Sequence, residues 1–144
     1  VLSFNVLGGA CGRLPAGWLA DQIEGRWILT IQFFFMACTT YIFWQAPSLT
    51  MLSVAAFVFG FCYGAGLVVT PTLTGNYYGV TNFPQINSFM FPFQYGIGAF
   101  VPIGAGYVFD YYKSYDIAWV TLLVLGLFAI VSAFLTTPPK KAAA

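Results

Sequence analysis

Histidine is absent from this 144-residue chain, and charge is scarce. Lys and Arg number five and Asp and Glu four, so charged residues make up 6 %, against roughly 25 % in an ordinary soluble domain. So few charges cannot solvate the surface of a compact protein of this size; lipid is the solvent that makes the composition viable. Without His, and with its late carboxylates Asp110 and Asp116 at one span edge, the chain has neither a metal-ligand cluster nor a nucleophile–base pair. An intramembrane enzyme is therefore disfavoured, and no cofactor is expected. No nucleotide-binding loop is present. Net charge is +1, and Lys140-Lys141 is the only basic run, which leaves nucleic-acid binding without electrostatic support. The three cysteines, Cys11, Cys38 and Cys62, lie in apolar surroundings. An odd number gives no disulfide framework, and they read as small packing residues. An initiator Met is also missing. Val1–Cys11 starts abruptly in apolar sequence without the charged start of a signal peptide, and reads as the start of a fragment whose upstream helices lie outside it.

What is abundant is apolar: 60 % of residues, with 20 % aromatic. No charged side chain occurs between Arg26 and Asp110. A charge at the centre of a spanning helix costs about 2.5–3.5 kcal/mol on insertion scales, which accounts for the gap. About 20 apolar residues cross a hydrocarbon core. Five helices are expected, over about 1–18, 27–45, 49–73, 85–109 and 116–136, with the first truncated and a loop over 17–27. The runs are apolar on both sides, which speaks against barrel strands. Short connections make successive helices antiparallel. The fold class is all-α, a polytopic transmembrane helix bundle.

Lys and Arg set the expected orientation. With Arg13–Arg26 in the cytoplasm, Lys140 and Lys141 are cytoplasmic too, and only Lys113 is outside. Glycine and proline concentrate in two spans: Gly60, Gly64 and Gly66 in one, and Pro92, Gly96, Gly98, Pro102, Gly104 and Gly106 in the next. They serve either close helix packing or a bending helix that lines a path. Trp27, Trp44 and Trp119 fall near span ends, where aromatic belts form.

The segment Gly12–Arg26 contains Gly17-Trp18-Leu19-Ala20-Asp21 and then Gly25-Arg26. It resembles the cytoplasmic loop motif of the major facilitator superfamily, a Gly-x-Leu-Ala-Asp core followed by Gly-Arg. Gln22 stands where that family usually has Arg, and Trp27 where a second basic residue is common, so the loop's charge network is thinner. Gly60–Gly66 with Pro71 and Asn76–Gly79 is similar to the family's tenth helix and following loop. Gly104–Asp110 with Lys113–Asp116 is similar to the end of its eleventh helix, as in monocarboxylate-carrier-like and oxalate/formate-antiporter-like members. The resemblance implies about five helices of a six-helix half, namely a partial C-terminal transmembrane bundle over 1–144. The lack of Arg in 49–69 favours that half over the N-terminal one, which is the missing partner.

The resemblance also implies a function: secondary active transport of a small organic solute, a carboxylate, by alternating access in the plasma or inner membrane. The expected loop residues are Gly17, Asp21, Gly25 and Arg26, a latch between helix bundles, with Asp21 available to Arg26 or to a helix N-terminus. The expected substrate-binding residues are Arg13, Tyr63, Gln94 and Tyr95. In monocarboxylate and oxalate carriers an eighth-helix Arg at the place of Arg13 contacts the substrate carboxylate; the alternative is that Arg13 snorkels to the interface. Oxalate carriers also place a Lys on the eleventh helix. The span 86–109 has none, so a monoanion or neutral solute is easier to accommodate than a dicarboxylate. Asn87 and Tyr107 face either the same cavity or a neighbouring helix. A non-transporting membrane subunit is the alternative function.

Overall fold

The structure is a computed structural model and describes residues 1–45, 48–79 and 81–136. The Lys140-Lys141 ending, part of the orientation argument, lies outside those residues. Five α-helices follow one another: α1 (Leu2–Gln22), α2 (Gly25–Gln45), α3 (Leu49–Tyr78), α4 (Phe83–Tyr112) and α5 (Asp116–Leu135). Local chemistry sets the ends. Ser48 caps α3, its hydroxyl accepting from the Met51 N–H at 3.2 Å. Gly79 ends α3 at φ +80°, a conformation that glycine adopts without a Cβ penalty. Pro84 occupies the first turn of α4, where its missing N–H costs nothing.

At 30 residues each, α3 and α4 are about 45 Å long at 1.5 Å per residue, longer than a hydrocarbon core of about 30 Å. The excess on α3 is the polar stretch Thr70–Tyr78, which continues the helix rather than forming a loop. The helices α2, α3 and α5 are each long and apolar enough to cross a membrane. Arg13 and small residues dilute α1; glycines, prolines, Asn87, Gln94 and tyrosines dilute α4.

The packing inverts that of a soluble protein. Buried positions are small: Gly8, Gly12 and Ala16 on α1, and Ala55, Ala56, Gly60, Gly64 and Ala65 on α3. Large apolar side chains such as Leu125, Phe128 and Phe134 of α5 face outward. Between helices in lipid there is no drive from apolar burial, so close backbone approach has to hold them. The α1–α3 seam is that approach. A Cβ on Gly8 would collide with the Phe57 carbonyl, on Gly12 with that of Phe61, on Gly60 with that of Asn5, and on Gly64 with that of Gly9. Rising residue numbers match on both sides, so α1 and α3 run parallel and α2 returns between them.

On its other flank α3 packs on α2, with Phe43 edge-on to Phe59 at 6.0 Å. Helix α5 lies antiparallel on α2. At one end of that pair, Trp27 meets Phe134 at 5.8 Å. At the other, the Trp44 indole N–H donates to Asp116 Oδ1 at 2.8 Å, and Ser114 Oγ donates to Oδ2 at 2.7 Å. Helix α4 touches α3 and α5 only sparingly and has no buried residue.

Hydroxyls inside the spans are mostly satisfied within their own helix. Thr30, Thr40 and Thr121 donate to the carbonyls of Arg26, Met36 and Ile117 at 2.7–2.8 Å. The amide of Gln32 is not: it is buried and packs on Gly66, and among the described residues its Oε1 has no partner.

The seam makes a sharp contrast between neighbours. Gly64→Ala is expected to lower the stability of the detergent-solubilised protein by about 1–3 kcal/mol, the usual cost of overpacking. Gly9→Ala, whose Cβ meets only the Gly60 carbonyl at 3.5 Å, should leave stability unchanged. Thermal unfolding of the two variants side by side is the check, and equal losses would contradict the seam.

Candidate functional site

Two regions hold the residues singled out by sequence, and both depend on α3. The first is the α1–α2 link. Helix α1 continues to Gln22 and α2 begins at Gly25, so the link is only Ile23-Glu24 and Asp21 belongs to the last turn of a helix. The Ile23 N–H bonds the Leu19 carbonyl at 2.9 Å as the chain turns extended. The ion pair here is not Asp21–Arg26: Arg26 Nε lies 2.6 Å from Glu24 Oε2, and Asp21 is exposed. The Arg26 N–H is not aligned for a hydrogen bond. With Glu24 about half exposed, the pair contributes little. Arg26 also stands 5.4 Å from the Trp27 ring.

The glycines of the motif have different roles. Gly17 sits beside Val68, where a Cβ would make an ordinary 3.7 Å contact. At Gly25 a Cβ would run into the Leu73 side chain. Leu73 of α3 therefore seats the first turn of α2. Around this seat is a cavity of about 210 Å³ lined by Ala20, Glu24, Thr72, Asn76 and Tyr77 among others. The Tyr77 hydroxyl is buried there and has no partner among the described residues.

The second region is a crevice of about 200 Å³ between α3 and α4. It brings together Gln94 and Tyr95, two of the expected substrate residues, with Thr70 and Asn87; Phe91 forms a wall, its ring 5.6 Å from that of Tyr95. Tyr63 does not line it. It stands on α3 one turn away, on the face that carries Gly66, Leu67 and Thr70 by helical spacing. Nor does Arg13 line it. Arg13 follows Gly12, which lies over Phe61, and precedes Gly17, which lies beside Val68. That register sets it abreast of the middle of α3, with an exposed side chain on the edge of the seam. Sequence reasoning passed over Thr70, Phe91, Glu24 and Leu73. Only Thr70 left a signal, being one turn before Thr74 on a helix already expected to line a path.

Comparison with known proteins agrees with this architecture. The family described as Major Facilitator Superfamily matches residues 1–144. The chain belongs to that superfamily of membrane transporters, and it is an integral, multi-pass protein of the cell membrane. It is 41 % identical over 61 residues to the "Probable nitrate/nitrite antiporter NarK1" of Thermus thermophilus, a match covering 42 % of this chain and 14 % of that relative. The chain thus spans a small part of the relative's length. No solved structure gives a significant match.

The Leu73 seat is testable by exchange. Gly25→Val should destabilise the protein, and Leu73→Ala in the same molecule should restore part of the loss. A double-mutant cycle is expected to give a coupling of about 0.5–3 kcal/mol. Strict additivity would show that the two residues do not meet.

Proposed function

We propose that this chain is five helices of the C-terminal half of a secondary carrier that moves a small oxyanion, a monocarboxylate, by alternating access. The observation that carries the reading is the position of Arg13. It is the one cation of the first helix, set abreast of the centre of α3 rather than at a helix end. An ionisable group at that depth is a functional-site hypothesis by default. A guanidinium offers a planar fork that matches a carboxylate bidentately, and a low dielectric strengthens the pair. In this arrangement Arg13 takes the anionic head, and Tyr63, Gln94 and Tyr95 line the path beside it. The Gly17–Arg26 segment, seated on Leu73, is the hinge-side latch by which this bundle engages the N-terminal half.

Nitrate and nitrite, named for the related antiporter, are planar monoanions with the same forked acceptor geometry as a carboxylate. Nitrate is therefore the second reading, favoured by that similarity. No Lys or Arg lies in α3 or in α4, which leaves Arg13 as the cation these helices offer an anion. Catalysis is not part of the proposal.

The test is uptake by the complete carrier in proteoliposomes, with labelled monocarboxylate and labelled nitrate. Arg13→Gln should raise KM for the transported anion about 10–100-fold, the size of a lost charge-assisted hydrogen-bond pair of about 1.5–3 kcal/mol. Arg13→Lys should recover only part of it, because an ammonium lacks the fork. An unchanged KM in Arg13→Gln would remove Arg13 from the site.

A further inference from the structure

Gln32 lies on α2 among Ile28, Ile31 and Phe35. It is 8 % exposed, and among the described residues its Oε1 has no partner. A methionine or leucine there would fill similar space without leaving an acceptor unmet, so the amide weakens the arrangement it sits in. A buried group of that kind calls for a reason beyond packing.

Its neighbours on α3 supply one. The amide lies across Gly66, where a Cβ would meet its Nε2, Cδ and Oε1. Gly66 is also part of the wall of the crevice between α3 and α4. The α3 backbone at Gly66 therefore has the crevice on one side and the Gln32 amide on the other. One turn further along α3 stands Thr70, which lines the same crevice. Helices α2 and α3 run antiparallel, Gly25 meeting Leu73 and Gln32 meeting Gly66. Side chains lean toward the N-terminus of their helix, so Gln32 leans toward the α2 turn that opposes Thr70. The hydroxyls of Thr72 and Thr74 are committed to the Val68 and Thr70 carbonyls at 2.8 and 2.9 Å; among the described residues the Thr70 hydroxyl has no such bond. Resting on the carrier reading above, we propose that Gln32 is a positioning residue of the transport path, whose Oε1 takes the Thr70 hydroxyl as its donor in the solute-loaded conformation. Gly66 allows the approach because it puts no side chain between the two. The acceptor is unmet in the present arrangement and met in the loaded one, so the pair favours loading. It also draws the Thr70 side chain off the crevice wall, beside Asn87 and Gln94.

The experiment follows uptake of labelled acetate and labelled nitrate by the complete carrier in proteoliposomes, together with thermal unfolding. Gln32→Met and Gln32→Leu should unfold no lower than the unaltered protein. Each should raise KM for the anion that is carried about 5-fold, the value of one hydrogen bond. Thr70→Val should raise it by as much, and Gln32→Met combined with Thr70→Val no further than either change alone. Thr70→Ser keeps the hydroxyl and should keep KM. An unchanged KM in both apolar variants at Gln32 overturns this inference alone. So do losses at the two positions that multiply in the double variant. Unfolding at lower temperature in both apolar variants assigns the amide to structural support and overturns the pairing as well. Transport of neither anion by the unaltered protein overturns the carrier reading, and this inference with it.

Discussion

Contact between the backbones of α1 and α3 is the constraint from which the rest of the arrangement follows. In water, five apolar helices would collapse on their large side chains. In hydrocarbon those side chains are already solvated, and cohesion comes from surfaces that approach more closely than acyl chains can. Gly8 and Gly12 on one side, and Gly60 and Gly64 on the other, create that surface at four-residue spacing. The seam fixes the register of α1 against α3 to within a residue, because a slip would bring Cβ atoms against carbonyls. Everything placed by that register inherits its precision, including the depth of Arg13 and the meeting of Gly25 with Leu73.

Polar groups divide according to whether their own helix can satisfy them. The threonines bond a carbonyl one turn back and so need nothing from a neighbour. The Trp44–Asp116 hydrogen bond joins α2 to α5 at a helix end, where water can share the load. Among the described residues, Arg26 Nε, Gln32 Oε1 and the Tyr77 hydroxyl are left over. Gln32 and Tyr77 each line a cavity that also holds residues of the motif segment, Leu19 in one and Ala20 in the other.

The membrane class, the all-α fold and the superfamily were legible in the sequence because each rests on bulk composition or on a contiguous motif. An empty stretch of charge from Arg26 to Asp110 can be read without any structure. Pairwise facts were not legible. Glu24 rather than Asp21 meets Arg26 because the link shrank to two residues, and the length of a helix past the membrane surface is set by tertiary support. The seat of Gly25 on Leu73 joins positions 48 apart, with no periodicity to mark it. Glycines in α4 and in α3 look alike as letters. Gly60 and Gly64 of α3 abut carbonyls, whereas Gly96, Gly98, Gly104 and Gly106 meet no atom of the described residues within 4 Å.

Arg13 shows how geometry weighs two readings that sequence left balanced. Snorkelling to the α2-proximal interface requires the guanidinium to travel toward Gln22, nine positions on, or about 13 Å along the axis. Side chains on an α-helix lean the other way, toward the N-terminus. Arg13 therefore starts near the centre of its neighbour α3, well back from that surface. A charge held there costs about 2.5–3.5 kcal/mol on insertion scales, and among the described residues no carboxylate pairs with it. An anion from outside the bundle would offset that cost while bound and restore it on leaving. Under the proposal above, that difference between loaded and empty states is the means by which binding would bias one conformation over another.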